Sequence, residues 1–260
     1  MELGLEGKYA LVTGGSRGIG RSIALGLAAE GCHVAVCARG EKDLDQTVAE
    51  IRQQGVESLG IMADVMNAGD IDAAVKTIAD GWGTLQILVN NAGGGGRWGS
   101  EDITATGLDV WMDVLAKNAL AAVRFTRAAL PWMIQRNWGR VVTITSIYGR
   151  EGGGRPWFNM AKAAQTSLMK TLGMHRNLAR ANITFNSVAP GAIMIPGTGW
   201  QAEQQMDPAA FNRKMDREFT LGRLGTPQEV AAVVTFLCSE KASLVNGAAI
   251  AVDGGQGHAF

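Results

Sequence analysis

The chain has 260 residues, of which 47% are hydrophobic and 18% charged. That composition supports a substantial core and excludes a disordered chain. The 24 basic and 24 acidic residues cancel formally, so no cationic surplus marks a nucleic-acid binder.

No stretch approaches the roughly 18 apolar residues that span a bilayer. The opening "MELGLEGKYALVTGG" carries two glutamates where a secretory signal needs a basic and then an apolar segment. Cys32, Cys37 and Cys238 are odd in number and lie inside apolar runs, which predicts buried free thiols in a reducing compartment. His33, His175 and His258 are scattered, without metal-ligand spacing. A cytoplasmic protein without metal, membrane or nucleic-acid partner is the expectation.

Short apolar runs rich in β-branched residues predict strands at 9–13, 33–38, 59–63, 85–90, 140–145, 183–188 and 248–252. Helical periodicity places helices near 18–30, 41–54, 68–81, 107–136, 156–180 and 227–239. Strands of nearly continuous hydrophobicity belong in a parallel sheet covered on both faces. Their alternation with helices predicts one α/β domain over 1–260, a doubly wound Rossmann arrangement with a mostly seven-stranded parallel sheet. Residues 193–224 interrupt the alternation with prolines, glycines and spaced apolar residues. A connection of that length is expected to be a substrate loop or lid.

"TGGSRGIG" at 13–20 follows the first predicted strand and opens the first helix. Gly14, Gly18 and Gly20 permit a tight turn and close backbone approach to a pyrophosphate at the helix N-terminus, with Ser16, Arg17 and Ile19 completing the loop. NAD sites place an acid at the end of the second strand. Here that place holds Ala38, followed by Arg39, and no carboxylate comes before Glu41. Arg17 and Arg39 instead suit a ribose 2′-phosphate, which favours NADP(H).

The G-x-x-x-G-x-G spacing resembles the short-chain dehydrogenase/reductase family. "NNAG" at 90–93, Ser146, Lys162, "PG" at 190–191 and the tail "NGAAIAVDGG" extend the likeness along nearly the whole chain, toward its 3-oxoacyl-acyl-carrier-protein reductases. The resemblance implies that Asp64 and Val65 border the adenine, that Asn91, Ala92 and Gly93 line the cofactor cleft, and that Pro190 and Gly191 shape the wall near the nicotinamide. A threonine that the family usually carries five residues after that proline is Ile195 here, with Thr198 further on.

The family's reaction moves a hydride between the nicotinamide and a carbonyl or alcohol carbon. By resemblance, Ser146 polarises the carbonyl, Lys162 binds the nicotinamide ribose and tunes a tyrosine, and Asn118 supports a proton-relay water. The tyrosine's place, four residues before Lys162, is Phe158. A phenyl ring has no proton to give, and general acid–base catalysis contributes typically 10²–10⁴-fold. The expectation is a catalytically impaired chain whose binding sites survive, because the ring's volume is nearly unchanged. Three readings stay open: an introduced replacement of tyrosine, a natural NADP(H)-binding pseudoenzyme acting as sensor or scaffold, and proton donation by Tyr148.

For the substrate, Tyr148, Arg155 and Trp157 in "YGREGGGRPW" and Met194 and Trp200 after Pro190 are candidate pocket walls. Apolar and aromatic surfaces of that kind suit a bulky hydrophobic or cyclic ketone or alcohol, with Arg97, Arg150 and Arg155 available to an anionic group. Small residues on the helix after Lys162, together with the resemblance, imply a homotetramer or homodimer.

Overall fold

Seven parallel strands form one sheet in the computed structural model, which describes residues 2–100 and 102–259. They are β1 (Tyr9–Thr13), β2 (His33–Ala38), β3 (Ser58–Met62), β4 (Ile87–Asn90), β5 (Gly139–Ile144), β6 (Ile183–Pro190) and β7 (Ala249–Val252), in the order β3-β2-β1-β4-β5-β6-β7. The pleat explains the near-continuous hydrophobicity. Along β1, Ala10 and Val12 enter one core while Leu11 enters the other, and β2 divides Val34 and Val36 from Ala35 and Cys37 in the same way.

On one face pack α1 (Gly18–Ala29), α2 (Glu41–Arg52) and α10 (Pro227–Cys238), through Ile23, Leu27, Leu44, Val48 and Val234. The other face takes α3 (Ala68–Trp82), α5 (Ala121–Arg136) and α6 (Pro156–Gly173), through Ile71, Ile78, Phe125, Met133 and Met169. Local signals set the helix ends. The Asn67 side chain caps α3, and Gly83 closes it in the left-handed region. At α10 the Thr226 and Glu229 side chains form a reciprocal capping box around Pro227. All three cysteines are free and buried. Burial pushes the Cys32 and Cys37 thiols up to about 12, and the Cys238 thiol higher still. No helix among the described residues is long and apolar enough to cross a membrane.

Two predicted helices are corrected. The segment 107–136 is not one α-helix: α4 (Leu108–Leu115) gives way to a π turn over Ala116–Leu120 before α5. The segment 156–180 ends at Gly173, and a short α7 (Arg176–Arg180) follows His175. Strand β6 runs on to Pro190, which β7 pairs through Val252. Within 193–224 the chain folds into α8 (Gly199–Met206) and α9 (Pro208–Glu218) around Phe211, Met215 and Leu224.

Candidate active site

Strand order reverses between β1 and β4, so the connections leaving these strands diverge to opposite faces and open a crevice at their C-terminal ends. A cavity of about 690 Å³ lies there. It is lined by Gly14, Ser16, Arg17, Gly18, Ile19 and Gly20 of the glycine loop, by Arg39 after β2 and by Asp64 and Val65 after β3. Asn91, Ala92 and Gly93 after β4 complete the sequence-predicted set, and Ile195 and Thr198 face them from the 193–224 segment.

The loop is locked by hydrogen bonds across the crevice. Thr13 Oγ1 accepts from the backbone N–H groups of Asn91 and Ala92, both at 3.0 Å. Asn91 Nδ2 donates to the carbonyls of Thr13 at 2.9 Å and Gly14 at 3.0 Å. Gly14 and Gly18 sit at φ +63° and +55°, a region that side chains resist. A Cβ on Gly20 would overlap Asn91 Nδ2 and the Gly14 carbonyl. Helix α1 starts without a side-chain cap, so its first amides remain for an anion. Arg17 and Arg39 add cationic groups, Arg39 standing 3.9 Å from Asp64. This donor set suits an elongated phosphorylated ligand.

Beyond Gly93 a second group of predicted residues converges. The π turn carries Asn118, fully buried, and an inserted residue of this kind recurs at functional sites. Its Nδ2 donates to Val114 O at 2.7 Å and Gly94 O at 2.8 Å, while Oδ1 accepts from Gly94 N at 3.1 Å. The side chain thereby stitches the turn to the loop after β4. Its backbone carbonyl accepts from Gln165 Nε2 at 3.1 Å, a buried partner that the sequence reading missed.

Lys162 lies beside this turn. Its ammonium is buried and donates to Ile144 O at 2.9 Å, and desolvation lowers its pKa from 10.5 to about 7. A Cβ on Gly93 would come within 2.5 Å of Asn118 Oδ1 and 3.3 Å of Lys162 Nζ, so only glycine fits between them. The Phe158 ring centre is 5.6 Å from the same ammonium, and Gly96 covers the ring closely. Ser146 stands two residues beyond Ile144, its Oγ accepting from Tyr148 N at 3.2 Å.

Known proteins resemble this chain over nearly its whole length. The family model described as enoyl-(acyl carrier protein) reductase matches residues 14–256. The 3-oxoacyl-acyl-carrier-protein reductase of Staphylococcus aureus is 36% identical over 96% of this chain and 98% of its own length.

The chain belongs to the short-chain dehydrogenase/reductase family.

Among solved members of this family, L-sorbose reductase from Gluconobacter frateurii, complexed with NADPH and L-sorbose, superposes with a TM-score of 0.90 at 32% identity over 100% of both chains. A variant of actinorhodin polyketide ketoreductase with NADPH gives 0.86 at 35% identity, over 98% of this chain and 99% of that one.

Most of the predicted pocket walls also take part in packing. Trp157 is fully buried against Val114 and Ala161, with Trp111 meeting it edge-on at 5.5 Å. Met194 and Trp200 pack into the small core of the 193–224 segment, where Trp200 meets Phe219 at 6.1 Å and the Lys214 ammonium at 4.9 Å. Arg155 donates to the carbonyls of Arg97 at 2.8 Å and Trp98 at 2.6 Å, and also to that of Gly99. It holds down the loop over Phe158. The Tyr148 ring lies against Gly153 and Gly154. Pro190 is buried at the end of β6, and Gly191 abuts Asp253 and Gln256. Among the lining residues that the sequence reading did not single out is Lys117, whose ammonium lies 4.4 Å from the Trp98 ring centre.

Proposed function

We propose that this protein binds NADP(H) and that its site is built to interconvert a ketone and a secondary alcohol by hydride transfer, with the proton donor missing at Phe158. When bound, the cofactor supplies or accepts the hydride. The 3-oxoacyl-acyl-carrier-protein reductase and L-sorbose reductase relatives support the reaction class, and the two NADPH complexes support the cofactor. The glycine loop, the uncapped α1 N-terminus and the Arg17–Arg39 pair are the residues that would hold it.

The observation that carries this reading is the convergence of Asn118 and Lys162 around Gly93, with the Phe158 ring centre 5.6 Å from the lysine ammonium. Lys162 holds the ribose hydroxyls of the nicotinamide half, and its tie to Ile144 O fixes it against β5. Asn118 keeps the π turn and the loop after β4 in register. Ser146 Oγ already accepts from a backbone amide, which leaves its O–H to donate to a substrate oxygen. Phe158 fills the donor's volume without its proton, so an alkoxide forming beside it has no acid to collapse onto.

Residues 193–224 act as the lid. Because Trp157, Met194 and Trp200 are committed to packing, substrate bulk is set by the loop held by Arg155 rather than by an aromatic wall. Met112, Leu120 and Met160 stay exposed around the start of α6, a surface suited to pairing in the homotetramer that the family resemblance implies. Sedimentation velocity of the purified chain tests that assembly.

The deciding experiment is Phe158→Tyr with NADPH and a ketone panel running from sugars to bulky cyclic ketones. Reduction should rise by about 10²–10⁴-fold. A revertant that binds NADPH and reduces none of the panel would leave the natural pseudoenzyme as the better account. The Phe158 ring centre lies 5.6 Å from the lysine ammonium and the Tyr148 ring lies against Gly153 and Gly154, which favours residue 158 as the donor's place. If residual turnover in the parent chain vanished in Tyr148→Phe, that view would be reversed.

A further inference from the structure

The ionisable groups lining the cavity are few. Arg17, Arg39 and Lys117 are the cations, Asp43 and Asp64 the carboxylates, and burial keeps the Cys37 thiol neutral. Without Lys117 the two arginines are matched by two aspartates, and Arg39 is already drawn to Asp64 at 3.9 Å. Lys117 supplies the whole formal surplus. A cavity meant for a dianionic group needs that surplus.

Lys117 is also held in reserve. It rides on the π turn next to Asn118, half-buried, with its ammonium 4.4 Å from the Trp98 ring centre. Among the described residues it pairs with no carboxylate. Burial is the first cause that pulls its pKa below the usual lysine range, and the charge of Arg39 is the second. Asp64 acts in the opposite sense, and Arg17 adds to the repulsion. The charges it senses are those of Arg39 after β2, Asp64 after β3 and Arg17 in the glycine loop, the first two lying where a ribose 2′-substituent sits in folds of this type.

We infer that Lys117 is a third phosphate-binding cation, which together with Arg39 and Arg17 recognises the 2′-phosphate of NADP(H) and sets the preference over NAD(H). A phosphate there relieves the repulsion among the three cations and draws the ammonium away from Trp98. This rests on the cofactor reading above and adds to it the residue that makes the lining cationic.

The test is calorimetric titration of the full chain with NADPH and with NADH, before and after Lys117→Met. Neither measurement requires turnover, so Phe158 is no obstacle. Charge-assisted contacts of this kind predict a Kd for NADPH about tenfold higher in the variant, and for NADH less than about threefold higher. Lys117→Arg should retain most of the preference. Lys117→Gln repeats the comparison with a polar side chain if the methionine variant melts early. Equal weakening of both nucleotides would move the ammonium to the shared pyrophosphate and overturn the assignment, and unchanged NADPH affinity would overturn it outright. If the unsubstituted chain binds neither nucleotide, the cofactor reading itself has failed and this inference falls with it.

Discussion

The buried lysine makes a measurable demand on stability. In the folded chain desolvation lowers the Lys162 pKa from 10.5 to about 7, while the unfolded lysine keeps its ordinary value. Between those limits the unfolded state holds a proton that the folded state lacks, so stability rises with pH. The contribution is complete above pH 10.5 and is lost as pH falls toward 7. At about 1.4 kcal/mol per pH unit, the cofactor-free protein should lose roughly 3 kcal/mol through this one group between pH 9.5 and pH 7. Lys162→Met removes the titration and leaves the Ile144 carbonyl without its donor, a cost that does not vary with pH. Urea unfolding of both proteins from pH 7 to 9.5 isolates the effect as the slope of their difference. Parallel curves, with the difference constant to within about 0.5 kcal/mol, would show that Lys162 stays protonated in the fold and refute the reasoning; the expected total is six times larger.

Other expectations are simpler to state. Gly20→Ala drives a methyl into Asn91 Nδ2 and the Gly14 carbonyl; it should cost about 1–3 kcal/mol in denaturant unfolding and weaken NADPH binding more than tenfold by titration. Arg155→Ala should free the loop at 97–99, raising KM for an active ketone about tenfold in the Phe158→Tyr background. NADPH affinity should stay within about twofold of the parent in the same variant, and an unchanged KM would show that Arg155 does not shape the substrate site.

The sheet and the glycine loop were legible because their signals are local. Apolar runs with β-branched residues mark each strand, and Gly14, Gly18 and Gly20 answer to backbone sterics that no distant contact can alter. The π turn was not legible, since it exists only because Asn118 reaches Gly94 across the crevice. Lys117 escaped notice for a related reason: one lysine on a helix reads as solvated surface until the turn rotates it into the cavity. Aromatics near a cleft carry no sign of which way they face, so the direction of Trp157 and Trp200 was not legible. Packing decided it, placing Trp157 against Ala161 one turn along the helix and Trp200 against Phe219.

The phenyl ring at residue 158 and the buried lysine beside it bear on each other. At residue 158 the phenyl ring itself leaves no polar atom to satisfy: it rests against Gly96 and packs on the cluster of Val114, Trp157 and Ala161, where the buried Trp157 Nε1 has no hydrogen-bond partner among the described residues. Elsewhere in the same site the chain tolerates arrangements that folding alone would disfavour. Lys162 is desolvated without a counter-ion, and Lys117 is held among arginines. Each is a net cost in the cofactor-free protein, and marginal stability leaves little room for costs without use. A dinucleotide bound as proposed would reverse both signs, giving Lys162 hydroxyls to hold and Lys117 a phosphate to face. The hydrogen bonds that aim the cavity run through Thr13, Asn91, Asn118 and Ile144, and none of them involves the side chain of residue 158. Binding and proton delivery are therefore separable in this chain, which is why restoring one oxygen should recover chemistry without rebuilding the site.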